Sequence, residues 1–108
     1  MKASELAQKL GWKPACGDGE NEVTGCYCGD LLSWVMAKAP AGSVWLTVMG
    51  NVNCVAVASL RDLACVVITE GAPLDEAALV RAAQQGVTIY TTDRSTYDCA
   101  VAVSGMIE

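Results

Sequence analysis

The stretch SVWLTVMGNVNCVAVASLRDLACVVIT, Ser43 to Thr69, contains the pattern that decides the fold. Its first seven residues are β-branched, aromatic and almost continuously apolar, which is typical of a strand buried on both faces. Gly50 and Asn51 break that run, and the apolar residues that follow recur at helical spacing. ACVVIT then has the composition of a second buried strand. The stretch therefore predicts strand, helix and strand in succession.

The same alternation continues towards the carboxyl terminus. Asp75 is a suitable N-cap for a further helix, which Gly86 ends. VTIYT is a third apolar strand, and Ser95 or Thr96 can start a last helix. Strands that alternate with helices over short connections predict a parallel sheet with right-handed crossovers. We expect an α/β fold with three layers, in which a mostly parallel central sheet carries helices on both faces.

The amino-terminal part of the chain is less regular. SELAQKL predicts a short helix that stops at Gly11. WKPAC and EVTGCYC predict two extended segments, the first because proline restricts its neighbour and the second from its alternation. Asp30 is a good N-cap for the helix that follows.

Length and composition limit the classes of protein to which the chain can belong. A chain of 108 residues with 53% hydrophobic content is expected to form a single domain, residues 1–108, with a substantial core. The net charge is −5 and the seven basic residues are scattered, so we expect no nucleic-acid partner. No apolar run approaches the roughly 20 residues of a membrane helix, so we expect a cytoplasmic protein without a membrane partner.

Histidine and cysteine usage bear on the chemistry. The chain contains no histidine, which removes the commonest general base and the Ser-His-Asp and Cys-His arrangements and counts against an enzyme without excluding one. Of the six cysteines, Cys54, Cys65 and Cys99 each replace a small apolar residue inside a periodic segment. We expect reduced thiols.

The loops that follow the strands are the candidate ligand site. In open parallel sheets, ligands bind beyond the carboxyl ends of the strands, near helix N-termini that favour anions. Small and polar residues fill these loops, although turns and N-caps prefer the same residues. We expect the following residues to share a pocket rim: Gly29, Asp30, Gly50, Asn51, Asn53, Thr69, Glu70, Gly71, Thr91, Thr92, Asp93 and Ser95.

Four stretches carry a resemblance to a known family. SELAQKLGWKPACG, VTGCYCGDLLSWVM, NVNCVAVASLRDLACVVITEG and GVTIYTTDRSTYDCA together resemble a stand-alone DRTGG-domain protein. The family's module also occurs in the amino-terminal domain of HPr kinase/phosphorylase and in some phosphate acetyltransferases. The resemblance implies a non-catalytic regulatory module that binds a small ligand or a protein partner and self-associates, as a homodimer.

Two positions depart from the family's name-giving pattern. Gly50-Asn51-Val52 stands where the pattern has Asp-Arg, and Thr69-Glu70-Gly71 stands where it has Thr-Gly-Gly. The missing arginine removes a bidentate contact to an anion, and Glu70 adds a charge that opposes phosphate. No phosphate-binding motif of the form Gly-x-x-x-x-Gly-Lys-Ser/Thr occurs in the chain.

Cys26 and Cys28 offer a second possible function. In an extended segment they point to the same face, about 7 Å apart by strand rise, and Cys28 lies near a helix N-terminus. They are therefore candidate ligands of zinc or an iron–sulfur cluster, or a redox pair, in hydrogenase or iron–sulfur metabolism. A closed metal site needs about four ligands, which two copies of the pair could supply across a dimer axis. The alternative is that Cys26 is a buried apolar residue and that no cofactor binds.

Two further expectations concern carboxylates and aromatic residues. Asp30, Glu70 and Asp93 on converging loops would permit a metal-dependent hydrolase, a third possible function. Trp34, Trp45 and Met49 either form a dimer face or pack in the core, and core packing is the simpler interpretation, as it is for Tyr90 and Tyr97.

Overall fold

The computed structural model describes residues 1–107. Helices and strands follow one another in the order that the sequence predicts. The helices are α1 (Ala3–Leu10), α2 (Leu32–Lys38), α3 (Val52–Leu60), α4 (Glu76–Gln85) and α5 (Thr96–Met106), and the strands are β1 (Lys13–Cys16), β2 (Gly25–Cys28), β3 (Ser43–Thr47), β4 (Cys65–Ile68) and β5 (Ile89–Thr91).

The five strands form one sheet in the order β1-β5-β4-β3-β2. β2 to β5 are mutually parallel, as predicted for the last three of them, so their carboxyl ends all lie on the same side of the sheet along the strand direction. β1 runs antiparallel to β5, and Lys13 pairs with Thr91. The start of β1 therefore lies beside the end of β5, at the same end of the strands as the strand-to-helix loops.

Helices cover both faces of the sheet, which gives the expected three-layer α/β fold. The first core layer lies under α1 and α5 and contains Leu6, Val44, Val67, Cys99 and Val103. The second lies under α2, α3 and α4, where Trp45 is fully buried. Because every residue of β3 and β4 is buried, these central strands need the continuous apolar runs seen in the sequence.

The amino terminus is fastened to the loop between β1 and β2. The terminal ammonium group lies 2.8 Å from Glu22 Oε2, and Lys2 Nζ lies 2.9 Å from Glu20 Oε1. Lys2 and Glu22 also form an isolated antiparallel bridge. Among residues 1–107, no helix is both long enough and apolar enough to span a bilayer.

Several local predictions need correction. The N-cap residue of α2 is Leu31 and not Asp30, whose carboxylate binds elsewhere. Asp75 does hold the N-cap position of α4, but its side chain makes no capping hydrogen bond. Trp45 and Tyr90 are buried as expected, whereas Trp34 is 57% and Tyr97 75% exposed. Helical periodicity could not assign these two, because each short helix has only one face against the sheet.

Candidate functional site

The chain changes from one face of the sheet to the other between β4 and β5. The loop after β4 leads to α4 on one face, whereas the loop after β5 leads to α5 on the opposite face. Neighbouring parallel strands whose loops diverge in this way leave a crevice, which is where open α/β sheets bind ligands. The loops meet at its floor, where Glu70 N donates to Arg94 O at 2.8 Å and Gly71 N to Thr92 O at 3.0 Å.

A surface cleft of about 540 Å³ lies at this point. We call it the switch-point cleft. Its volume falls within the range of small-molecule pockets. It is lined by the two diverging loops and by the start of β1: Gly11, Lys13, Gly71, Ala72, Leu74, Thr91, Thr92, Asp93 and Arg94.

The charged groups of the switch-point cleft are two cations and one carboxylate. Lys13 and Arg94 line it, and the ion pairs within 4.0 Å among residues 1–107 involve neither of them. Asp93 turns its carboxylate towards the cleft wall, since a Cβ added at Gly71 would lie 3.1 Å from Asp93 Oδ1. The side chains that line the cleft thus carry one net positive charge in a chain of net charge −5, and this lining favours an anionic group.

Glu70 closes the N-terminus of α5 beside this cleft. Its Oε2 atom accepts a hydrogen bond of 2.8 Å from Thr96 N, and Thr69 Oγ1 lies 2.6 Å from Thr96 Oγ1. The backbone of Glu70 has φ 62° and that of Gly71 φ 66°, so both residues adopt the left-handed backbone conformation. A side chain is unfavourable there, and the glycine of the DRTGG pattern would avoid the strain. Glu70 therefore places a carboxylate where a bound anion would otherwise meet the helix.

The loop after β2 is held to β3 by hydrogen bonds. Asp30 Oδ1 accepts hydrogen bonds from Thr47 Oγ1 at 2.7 Å and from Val48 N at 3.0 Å. Trp45 Nε1 donates to Gly29 O at 2.9 Å. These bonds tie the loop to the end of β3, so one oxygen of Asp30 is committed to the fold.

The loop after β3 is covered by the chain after β4. Leu74 forms a parallel bridge with Gly50, and Asp75 N donates to Gly50 O at 2.8 Å. Asn51 caps α3 by accepting from Cys54 N at 3.1 Å. The apolar crevice at Gly50 and Asn51 has a volume of about 10 Å³, which is room for one water at most.

The predicted rim is therefore divided. Gly71, Thr91, Thr92 and Asp93 line the switch-point cleft, and Thr69, Glu70 and Ser95 lie in the loops that form it. Gly29, Asp30, Gly50 and Asn51 belong to the loops after β2 and β3, Asn53 lies in the first turn of α3, and none of the five lines the cleft. Arg94 also lines the cleft and lies within the predicted loop from Thr91 to Ser95. The sequence reasoning missed Gly11, Lys13, Ala72 and Leu74, and nothing in the sequence reveals that β1 lies beside β5.

Cys26 and Cys28 lie on β2, at the opposite edge of the sheet from the cleft. Cys26 is half-buried and Cys28 is exposed. A hydrogen bond from Cys26 lowers the pKa of the Cys28 thiol to about 7, against desolvation and the nearby Asp30 charge. The same hydrogen bond, together with burial, raises the pKa of Cys26. Cys28 is thus the more acidic thiol of the pair.

The structure bears in two ways on the metal hypotheses. Within residues 1–107, no group of three or more His, Cys, Asp or Glu side chains is arranged to hold a metal ion. Asp30, Glu70 and Asp93 stand on three separate loops, and the first two have backbone partners of their own. The three carboxylates therefore do not form the site that a metal-dependent hydrolase would need.

Comparison with known proteins gives a structural neighbour. No family model matches the sequence, and no curated protein is similar to it. The fold is similar to that of the CBS and DRTGG domains of the regulatory region of Clostridium perfringens pyrophosphatase, solved in complex with the activator diadenosine tetraphosphate. The TM-score is 0.70 at 10% sequence identity, over 94% of this chain and 45% of that chain. The chain thus spans less than half of that structure's length, and the likeness shows the α/β fold.

Proposed function

We propose that the protein is a DRTGG-like regulatory module whose switch-point cleft binds a small ligand with an anionic group. The observation that carries the proposal is the placement of Lys13 and Arg94 at a cleft where two loops diverge. Neither side chain is engaged by a carboxylate among the described residues. Arginine and lysine at such a site provide the charge-assisted hydrogen bonds that carboxylate and phosphate groups require.

The comparison supports the regulatory part of this proposal. The neighbouring structure is a regulatory region that holds a nucleotide activator. That regulatory region contains CBS domains as well as a DRTGG domain, so the choice of ligand for this chain rests on its own cleft. Because Glu70 already occupies the N-terminus of α5, we propose that the ligand's anionic group contacts side chains of the cleft and not that helix end.

The test is a thermal-shift screen of the full chain with pyrophosphate, ATP and diadenosine tetraphosphate as probes. A ligand at 100 times its Kd stabilises a folded protein by about 2.7 kcal/mol. With an unfolding entropy of about 2.1 cal/mol/K per residue, that amounts to a rise in Tm of roughly 12 °C. Lys13→Ala and Arg94→Ala should each remove most of the rise.

Arg81→Ala is the matched control, because Arg81 is an exposed cation on α4 that does not line the cleft. It should leave the ligand-induced rise unchanged. If none of the three probes raises the Tm, the anionic ligand is wrong and a protein partner becomes the better proposal. If Arg81→Ala weakens binding as much as Arg94→Ala does, the effect is one of overall charge and not of the cleft.

We also propose that the module works as a homodimer. β2 is an edge strand, and Leu31, the N-cap residue of α2, and Trp34 within α2 are each 57% exposed. Large apolar side chains beside an unpaired strand edge favour association. Sedimentation equilibrium tests this: the parent should be dimeric, and Trp34→Ala should weaken the dimer. A parent that stays monomeric at a high micromolar concentration would contradict the proposal.

A further inference from the structure

The thiol pair on β2 lies far from the switch-point cleft and has no part in the proposed function. β2 is an edge strand, and β1, which contributes Lys13 to the cleft, is at the other edge. Cys26 pairs with Val44 and Cys28 with Leu46, two residues of the core layer under α1 and α5. Because side chains on one strand face recur every second residue, both thiols point to that layer.

The two thiols are neighbours on one face of β2, because Cys26 and Cys28 are two residues apart in the strand. A disulfide between them would lie near the limit of disulfide geometry. Residues two apart in a strand have Cα atoms about 6.6 Å apart, near the upper limit of about 6.8 Å for disulfides. Two metal–sulfur bonds of about 2.3 Å, in contrast, span up to about 4.6 Å between sulfurs when they are collinear. A bridging ion therefore fits β2 as it stands better than a direct sulfur–sulfur bond does.

Among residues 1–107, no third His, Cys, Asp or Glu side chain is arranged to hold a metal ion together with the pair. Cys65 and Cys99 also lie near Cys26, but each is 1% exposed, closed off in the core under the helices. The Asp30 charge acts on Cys28, but the Oδ1 atom of Asp30 already accepts hydrogen bonds from Thr47 and Val48. Zinc requires four ligands, whereas soft ions such as Cu(I) and Ag(I) favour thiolates.

We propose that Cys26 and Cys28 bind one soft, thiophilic metal ion between their two sulfurs, at the exposed end of β2. The ion replaces both thiol protons, which pass to solvent, and forms two metal–sulfur bonds without any change of oxidation state. Cys28 is exposed and is the point of entry, and the half-buried Cys26 completes the pair. Binding would fasten the end of the edge strand close to the loop that carries Asp30.

Silver ion is the probe, because it needs no reductant. The full-length reduced chain is titrated with silver nitrate in chloride-free buffer, with native mass spectrometry and melting temperature as readouts. The parent should bind one ion per chain and gain stability. Cys26→Ser and Cys28→Ser should each weaken binding by at least about 100-fold, because the second thiolate supplies the effective concentration that makes the pair tight. Cys28→Ala replaces Cys28→Ser if that variant does not fold.

Two controls and two contrary outcomes complete the test. Cys16 is a half-buried thiol on the opposite edge strand, and the Cys16→Ser variant should bind silver as the parent does. The Arg94→Ala variant, which changes the cleft, should do the same. The proposal is overturned if the double variant Cys26→Ser, Cys28→Ser retains the parent's tight ion. It is also overturned if one ion is shared by two chains, or if zinc binds as tightly as silver, since either result requires four ligands.

Discussion

Replacing Asp30 tests whether the loop after β2 supports the fold. Asp30→Ala removes the acceptor of two hydrogen bonds, from Thr47 Oγ1 and Val48 N, and Thr47 is only 1% exposed. Hydrogen bonds to a charged group contribute about 1.5–3 kcal/mol each, but Asp30 is exposed, so screening by water reduces this. We expect a loss of about 2 kcal/mol in the free energy of unfolding.

The corresponding fall in Tm follows from the size of the domain. An unfolding entropy of about 2.1 cal/mol/K per residue gives about 0.23 kcal/mol/K for the whole chain, so 2 kcal/mol lowers the Tm by roughly 9 °C. Urea unfolding followed by circular dichroism measures the free energy directly. Asp30→Asn keeps an oxygen acceptor without the charge and should lose about half as much.

Asp75→Ala is the matched control for Asp30→Ala. Asp75 also precedes a helix and is exposed, but its side chain makes no capping hydrogen bond. Its loss should cost about 0.5 kcal/mol, the small effect of a charge near a helix N-terminus. Combining Asp30→Ala with Thr47→Val should show a coupling energy of about 1 kcal/mol. If Asp30→Ala costs no more than Asp75→Ala, the two hydrogen bonds contribute nothing and the reasoning is wrong.

Three further predictions concern the backbone and the thiols. Gly50→Ala should destabilise the protein by more than about 2 kcal/mol in urea unfolding, because the added Cβ would lie 2.3 Å from Pro73 O. Gly105→Ala is the control, and it should be neutral or stabilising because there is open space around Gly105. Glu70→Ala should cost about 1 kcal/mol by losing the cap on Thr96 N, and Glu70→Gly should cost clearly less because glycine accepts the left-handed backbone; equal losses would contradict this. The rate at which iodoacetamide alkylates Cys28, measured by peptide mass spectrometry, should rise with pH through a midpoint near pH 7, because the pKa of Cys28 is lowered to about 7 and the reactive thiolate forms above it. Cys26→Ala should move this midpoint upwards, towards pH 9.0.

How far the fold could be predicted depended on the type of element. β3 and β4 are buried along their whole length, so their unbroken apolar runs were sufficient to identify them. The parallel pairing of β3, β4 and β5 also followed from the sequence, because helices between strands force it. Core packing was the simpler of two interpretations for Trp34 and Tyr97, yet each is mostly exposed, since hydrophobicity alone does not show which face of a short helix meets the sheet.

The candidate site was only partly predictable, for a related reason. The loops after β4 and β5 were identified because small and polar residues follow apolar strands, and they do line the cleft. The loops after β2 and β3 have the same composition, yet hydrogen bonds to Asp30 and the bridge to Gly50 commit them to the fold. Composition cannot distinguish a turn that faces a ligand from one that faces its neighbour.

By itself, the sequence determined the order of the elements, the parallel core of the sheet and the absence of histidine chemistry, since these depend on local periodicity and composition. Only the tertiary structure decided that β1 lies antiparallel beside β5 and that α5 crosses to the other face. Those two choices create the cleft and place Lys13 on it together with Arg94, which lies 81 positions later in the sequence. They are long-range pairings, settled by which apolar surfaces cover each other, and no local pattern encodes them.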